Sequence, residues 1–363
     1  MTDETEPDGG PSLSASGTET GNGGEALSAG LGERIGKGKL LLGFLVAGVL
    51  IYLLGAVAGW GRVLDALEGA RYRWVWVACV STVVGLAFWG KAWQVVLAML
   101  DIEVRLRRIV VTYFAATFAN YITPLGQAGG EPFIAYVLSQ DTEASYEDSL
   151  ASVVTADLLN LLPFFNFAAV GMAYLLLNAT LPENAETLAQ GLVVLAFAVP
   201  ALAYVGWRHR DGVEAFVLRL VAPLAGRTDR VSVDGVRNRI DRFYHALERI
   251  ADEPRSLLFA LVFSYTGWVF FALPLYFSGL ALDLPIGLTL VLFVVPASTL
   301  AGLTPLPGGL AGVETAIAVL IAGLVPPISW SSAVAAAIVY RFASYWVVLV
   351  VGGVASLWVI RRS

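Results

Sequence analysis

Charge is scarce in this chain of 363 residues: 14% are Asp, Glu, Lys or Arg, 57% are apolar, and the mean hydropathy is +0.71. So little polar surface cannot cover a soluble globule, and the bilayer is the expected solvent. A single cysteine, Cys79, excludes an internal disulfide, an iron-sulfur cluster and a zinc-thiolate site. The only two histidines, His209 and His245, sit in an arginine-rich polar stretch, which argues against a histidine-based metal or haem site inside the membrane. No GxxxxGK[ST] phosphate loop is present, so ATP hydrolysis by this chain is not expected, and neither a cofactor nor a nucleic-acid partner is called for.

A hydrocarbon core about 30 Å thick takes roughly 20 apolar residues per helix. Six stretches approach that length: Leu40 to Trp60, Trp74 to Leu100, Leu150 to Leu177, Leu188 to Trp207, Leu257 to Leu280 and Ala333 to Ile360. Two more, Ile109 to Gln140 and Ile286 to Val325, are cut near the middle by Pro and Gly. Within lipid such a break is tolerated only where protein or a water-filled cavity covers the freed backbone groups. The expected fold class is an all-α polytopic membrane protein of six full spans and two broken hairpins, re-entrant or double-crossing. Residues 1–38 hold seven acids against Arg34 and Lys37; almost devoid of large apolar side chains, they read as a disordered acidic tail.

Basic residues near span ends favour the cytoplasm. The segment from Arg208 to Arg255 has ten arginines, whereas the connections from Asn178 to Thr187 and from Pro326 to Ser332 have no basic residue. The first connection, with Arg62, Arg71 and Arg73, breaks this pattern. Both termini are therefore placed in the cytoplasm of a cell-membrane protein. The hairpins then open to opposite sides, and the order span, span, hairpin, span occurs twice with inverted orientation, in halves 39–180 and 181–363. Pro124 lies 50 residues after Trp74 and Pro305 lies 48 after Leu257. Each break repeats Thr-Pro-Leu: Thr123, Pro124 and Leu125 precede Gly129, Gly130 and Glu131, and Thr304, Pro305 and Leu306 precede Pro307, Gly308, Gly309 and Glu314. Matched Gly/Pro-interrupted segments in two inverted halves point to a secondary-transporter site near the midplane.

Between the halves, within 208–256, Val236, Ile240, Phe243, Leu247 and Ile250 recur at helical spacing among four arginines, which predicts a helix on the cytoplasmic membrane surface. Its arginines read either as an anionic-lipid contact or as a solvated face above a structural seam. Two charges fall inside full spans: Asp157, roughly 10 Å from one end of its span, and Arg341, about 12 Å from the other end of its own. Their depths permit a charge pair, and intramembrane charges default to a functional role. Glu131 and Glu314 read either as helix caps or as groups that bind a cation or a proton. Lys91, between Trp89 and Trp93, reads as a snorkelling side chain.

At Asn120, Thr123 to Gly126, Gly129 to Glu131, Thr304 to Gly309, Gly312, Glu314, Tyr340 and Arg341, Tyr345 and Trp346, and Gly352, the chain resembles the transmembrane, flippase-like domain of lysylphosphatidylglycerol synthases and its stand-alone relatives. The resemblance spans nearly everything after the acidic tail. It implies translocation of a phosphate-bearing lipid, such as a phospholipid or a polyisoprenyl-phosphate sugar, beside partner enzymes of lipid or glycan synthesis. The implied substrate-binding residues are Asn120, Thr123, Pro124, Gly129, Gly130, Glu131, Pro305, Pro307, Gly308, Gly309, Glu314 and Arg341. The chain departs from the family at Ile134 and near Asp157, where members often carry arginine. No soluble aminoacyl-transfer segment is in evidence, so synthase activity is not implied. An intramembrane enzyme acting on a polyprenyl phosphate, or a small-solute or ion transporter, are the competing readings from the residues alone.

Overall fold

The protein is described by a computed structural model covering residues 37–123, 145–178, 233–304 and 306–360, with isolated positions between 135 and 219. Every regular element among these is helical. The order is α1 (Lys37–Ala58), α2 (Trp60–Glu68), α3 (Tyr72–Ala98), α4 (Leu106–Ile122), α5 (Tyr146–Asn178), α6 (Val233–Ala251), α7 (Pro254–Ala281), α8 (Leu288–Leu300), α9 (Gly312–Leu324), α10 (Trp330–Arg341) and α11 (Val347–Ile360). One π-helical turn, Phe342–Trp346, joins α10 to α11.

Six helical stretches are long and apolar enough to cross a membrane. The chain is a multi-pass, all-α membrane protein. Five of the stretches coincide with expected spans; the expected span from Leu188 to Trp207 lies outside the described residues apart from isolated positions. The sixth is Pro307–Leu324, half of the second broken stretch. Its helix proper begins only at Gly312, because Gly308, Gly309 and Ala311 have φ of 55°, 64° and 67°. Thus α8 and α9 have 13 residues each, about 20 Å, and neither alone matches the hydrocarbon thickness. They pack on each other around the break.

The most extensive packing joins α3 to α7, antiparallel along their length. The Arg71 amide donates to the Ala281 carbonyl at 2.8 Å, the Ser81 hydroxyl to Phe270 O at 2.7 Å, and Trp89 Nε1 to Ser264 O at 3.2 Å. Gly85 and Gly267 let the two backbones approach, since a Cβ on Gly85 would sit 3.0 Å from Gly267 O. Dispersion at such close contacts replaces the hydrophobic drive that lipid cannot supply. Gly85→Val is therefore expected to destabilise the protein by about 1–3 kcal/mol, the usual cost of overpacking, as a lowered melting temperature in detergent.

Two further contacts mirror each other. In α5, Gly171 abuts Phe293 of α8; in α11, Gly352 abuts Phe114 and Phe118 of α4. A Cβ would lie 2.5 Å from Phe293 Cβ in the first case and 2.6 Å from Phe114 O in the second. Thus α8 packs on α5, and α4 packs on α11.

The amphipathic segment forms α6, which seats Phe243, Ala246, Leu247 and Ile250 in a cluster with α3, α4 and α5. Its arginines Arg242 and Arg249 reach Glu147 at 3.0 Å and Asp148 at 2.7 Å in the first turn of α5, where Ser145 caps the helix through the Asp148 amide at 3.0 Å. For these two arginines the seam account holds rather than the lipid-contact one. Lys91 donates to Gln94 at 2.7 Å and lies 5.9 Å from the Phe263 ring centroid.

Candidate functional site

Pro124, Gly129, Gly130, Glu131 and Pro305 lie outside the described residues. Of the remaining expected site residues, all but Asp157 fall around the second break. The element order Pro307–Gly309, α9, α10 folds the glycines, Glu314 and Arg341 onto one another, and α4 delivers its C-terminal end, Asn120 to Thr123, against the same turn.

Arg341 closes α10 with its side chain 7% exposed. Its Nε donates to Glu314 Oε1 at 2.8 Å, and its Nη2 donates to the Gly308 carbonyl at 2.8 Å. Because Nη2 serves a backbone carbonyl, the guanidinium meets the carboxylate through one edge atom only, and the buried Glu314 Oε2 has no hydrogen-bond partner among the described residues. The guanidinium carbon sits 4.5 Å from the Tyr345 ring centroid, and that ring stacks on Tyr121 with centroids 5.1 Å apart. The π turn after Arg341 shifts the helix register so that Tyr345 comes round to the same side. Such insertions recur at functional sites.

The glycines are required by geometry here. At Gly308, a Cβ would come within 2.1 Å of Tyr345 Cε2; at Gly309, within 2.4 Å of the Gly302 Cα. Both have positive φ, which glycine adopts without steric cost. Ala311, also at positive φ, precedes α9, and no side chain caps that helix. Its first-turn N–H groups and positive dipole end therefore face the break.

Two expectations are corrected. The Asp157 to Arg341 charge pair is not formed: the partner of Arg341 is Glu314. Matching depths placed the two charges at compatible heights but said nothing of their direction around the bundle. Asp157 lies on α5, which packs against α3, α6, α7 and α8, whereas α9 packs directly on α10. Asp157 is instead within electrostatic range of Tyr113 on α4. Nor does Glu314 act as a helix cap. Although third in α9, it turns toward Arg341, whose buried charge demands a counter-ion more strongly than a peptide N–H does.

Asn120 Oδ1 and Thr304 Oγ1 are buried without hydrogen-bond partners among the described residues; Thr123 is satisfied by its own helix, donating to Ala119 O at 2.7 Å. Sequence reading missed Tyr121, whose ring completes the stack on Arg341. Its place beside Asn120 was the only signal. It also missed the strained Ala311, which no residue pattern reveals.

Comparison with known proteins agrees with this architecture. The chain is 26% identical over 324 residues to a UPF0104 membrane protein of Methanothermobacter thermautotrophicus, covering 87% of this chain and 94% of that protein. A second protein of that name from the same organism is 25% identical over 335 residues, covering 90% and 94%. One from Pyrococcus horikoshii is 22% identical over 323 residues, covering 87% and 96%. The model of the lysylphosphatidylglycerol synthase transmembrane region matches residues 40–352, from the start of α1 into α11 and through every residue of the Arg341 cluster. The chain belongs to the lysylphosphatidylglycerol synthase transmembrane-region family.

Proposed function

We propose that the protein is a lipid translocase that moves a phosphate-bearing lipid between leaflets, receiving the headgroup at the second break. The observation that carries this reading is the guanidinium of Arg341. It is buried in an otherwise apolar bundle, held on one edge by Glu314 and Gly308, and placed beside the uncapped start of α9. An arginine fork and free helix N–H groups are the two protein devices that bind phosphate best. Family membership supports a lipid as the cargo. Asp157 and the residues of the first break, Glu131 among them, are proposed to serve the opposite side of the same path.

The halves are proposed to be inverted repeats. The antiparallel α3 and α7 pair supports this, as do the mirrored contacts of Gly171 and Gly352. Those two glycines are 181 residues apart, the same separation as Pro124 and Pro305. The broken hairpins then open to opposite sides, with both termini in the cytoplasm. Single cysteines at Ser139 and Leu284, on a Cys79→Ala background, are expected to label from the cytoplasmic and external sides respectively; labelling of both from one side would overturn the arrangement.

The function is tested with purified protein in vesicles holding phosphatidylglycerol with a fluorescent headgroup-side label, using an impermeant quencher added outside. Protein-containing vesicles are expected to expose the inner-leaflet label and protein-free vesicles to protect it. A solute or ion transporter would leave the label protected, and an enzyme would change the lipid chemically without moving it.

A further inference from the structure

The Glu314 to Arg341 pair is charge-neutral as it stands, and it is incompletely bonded. Glu314 is 3% exposed and uses one oxygen; Oε2 is buried without a partner. Arg341 uses Nε and Nη2, and its Nη1 makes no hydrogen bond among the described residues. Among the described residues no third charged side chain bonds to either member of the pair; Arg62, Asp65 and Glu68 of α2, which packs on α10, and Arg107 and Arg108 at the start of α4 are among the other charges on elements that touch the cluster. From α8 and the turn Ala301–Leu303 comes no ionisable side chain; α10 brings Tyr340, the π turn Tyr345 and α4 Tyr121, phenols that are neutral near pH 7. An anion arriving at Arg341 therefore competes with Glu314 for the only positive charge the described cluster contains.

We infer that this pair is a proton-exchanging latch: a phosphate that takes Arg341 releases the Glu314 carboxylate, which takes up one proton from water, so lipid and proton enter together. The inference rests on the reading that Arg341 receives the headgroup. Its balance is simple. Before binding, the guanidinium and the carboxylate sum to zero. A phosphodiester monoanion on Arg341 would leave the site at minus one with Glu314 ionised in an apolar interior, where an uncompensated carboxylate is strongly disfavoured. Protonation forms one O–H bond and restores neutrality, and Oε2, which no hydrogen bond occupies among the described residues, is the oxygen to take that proton. Leaving the site for the other leaflet, the lipid returns Arg341 to Glu314, and the proton is released.

The test titrates detergent-solubilised protein with dihexanoyl phosphatidylglycerol, whose phosphodiester remains a monoanion from pH 5 to 8, and counts protons by calorimetry in buffers of different ionisation enthalpy. Wild-type protein is expected to take up about one proton per lipid bound near pH 7. Glu314→Gln, which removes the competing carboxylate, is expected to bind the lipid about tenfold more tightly, a typical coupling between linked sites, and to take up none. Wild-type binding without proton uptake, or no binding, overturns the latch, and these outcomes need no variant to fold. If labelled lipid still crosses the vesicles while uptake is zero, the latch fails and the translocase stands. If uptake is found but no lipid crosses, the translocase reading fails while the exchange of partners at Arg341 stands.

Discussion

Arg341→Gln is expected to be the most damaging single substitution in the protein. It leaves Glu314, 97% buried by its 3% exposure, without its counter-charge, and it frees the Gly308 carbonyl. Removing one partner of a buried ion pair costs about 3–5 kcal/mol, enough to exhaust much of a typical fold's margin. The expected result is a low yield of monodisperse protein and no lipid movement from what remains. The double variant Arg341→Gln, Glu314→Gln replaces the pair by two neutral amides and is expected to recover most of the folding loss while staying inactive, separating the structural part of the arginine from its part in binding. Arg341→Lys is expected to fold better than Arg341→Gln yet to transport poorly, because one ammonium cannot reproduce the fork that spans Glu314, Gly308 and an incoming phosphate. Full lipid movement by Arg341→Gln would remove the site from the mechanism.

Gly308→Val and Gly309→Val are expected to come next. A β-branched residue at φ of 55° or 64° is a backbone outlier, costing on the order of 1–3 kcal/mol in strain. The steric consequences differ between the two. At Gly308 the new Cβ strikes the fully buried Tyr345 ring, which can yield only by lifting from Arg341 and from Tyr121. At Gly309 the obstacle is the Gly302 backbone, which cannot move without opening the break. Gly308→Val is therefore expected to yield folded protein with lipid movement lost, and Gly309→Val to lower the melting temperature as well. Gly48→Ala in α1, where nothing lies within 4 Å of the added Cβ, serves as the control and should leave both readouts nearly unchanged. Normal transport in both valine variants would reduce the glycines to loop residues.

The legibility of this fold in its sequence follows from the solvent. A bilayer forces every backbone polar group to be satisfied within the segment, so the length of an apolar run by itself predicts a helix; α1, α3, α5, α7 and the run from Trp330 to Ile360 were readable in that way. The Pro and Gly interruptions marked where that rule is broken, and matched spacing linked Thr304 to Gly309 with the earlier break. Glu314 and Arg341 stood out because charge inside an apolar run has to be accounted for. The same logic misdirected the partner of Arg341. Depth is set by position along a helix, but which helices face one another is set by packing of small and large side chains, such as Gly85 on α7 and Gly171 on Phe293, whose partners are over a hundred residues distant.

The amino-acid sequence by itself determined that the chain is a helical membrane protein, where five of its long helices run, where the stretch from Ile286 to Val325 breaks, and that a carboxylate and an arginine lie buried after that break. Those follow from hydropathy, helix length and the conformational demands of Gly and Pro, all local quantities. Only the tertiary structure decided that Arg341 is held by Glu314 and the Gly308 carbonyl rather than by Asp157, that Tyr345 and Tyr121 stack over it, and that one carboxylate oxygen is left unpartnered. Those depend on the azimuth of each helix and on a single π turn, which shifts register without any signature in composition.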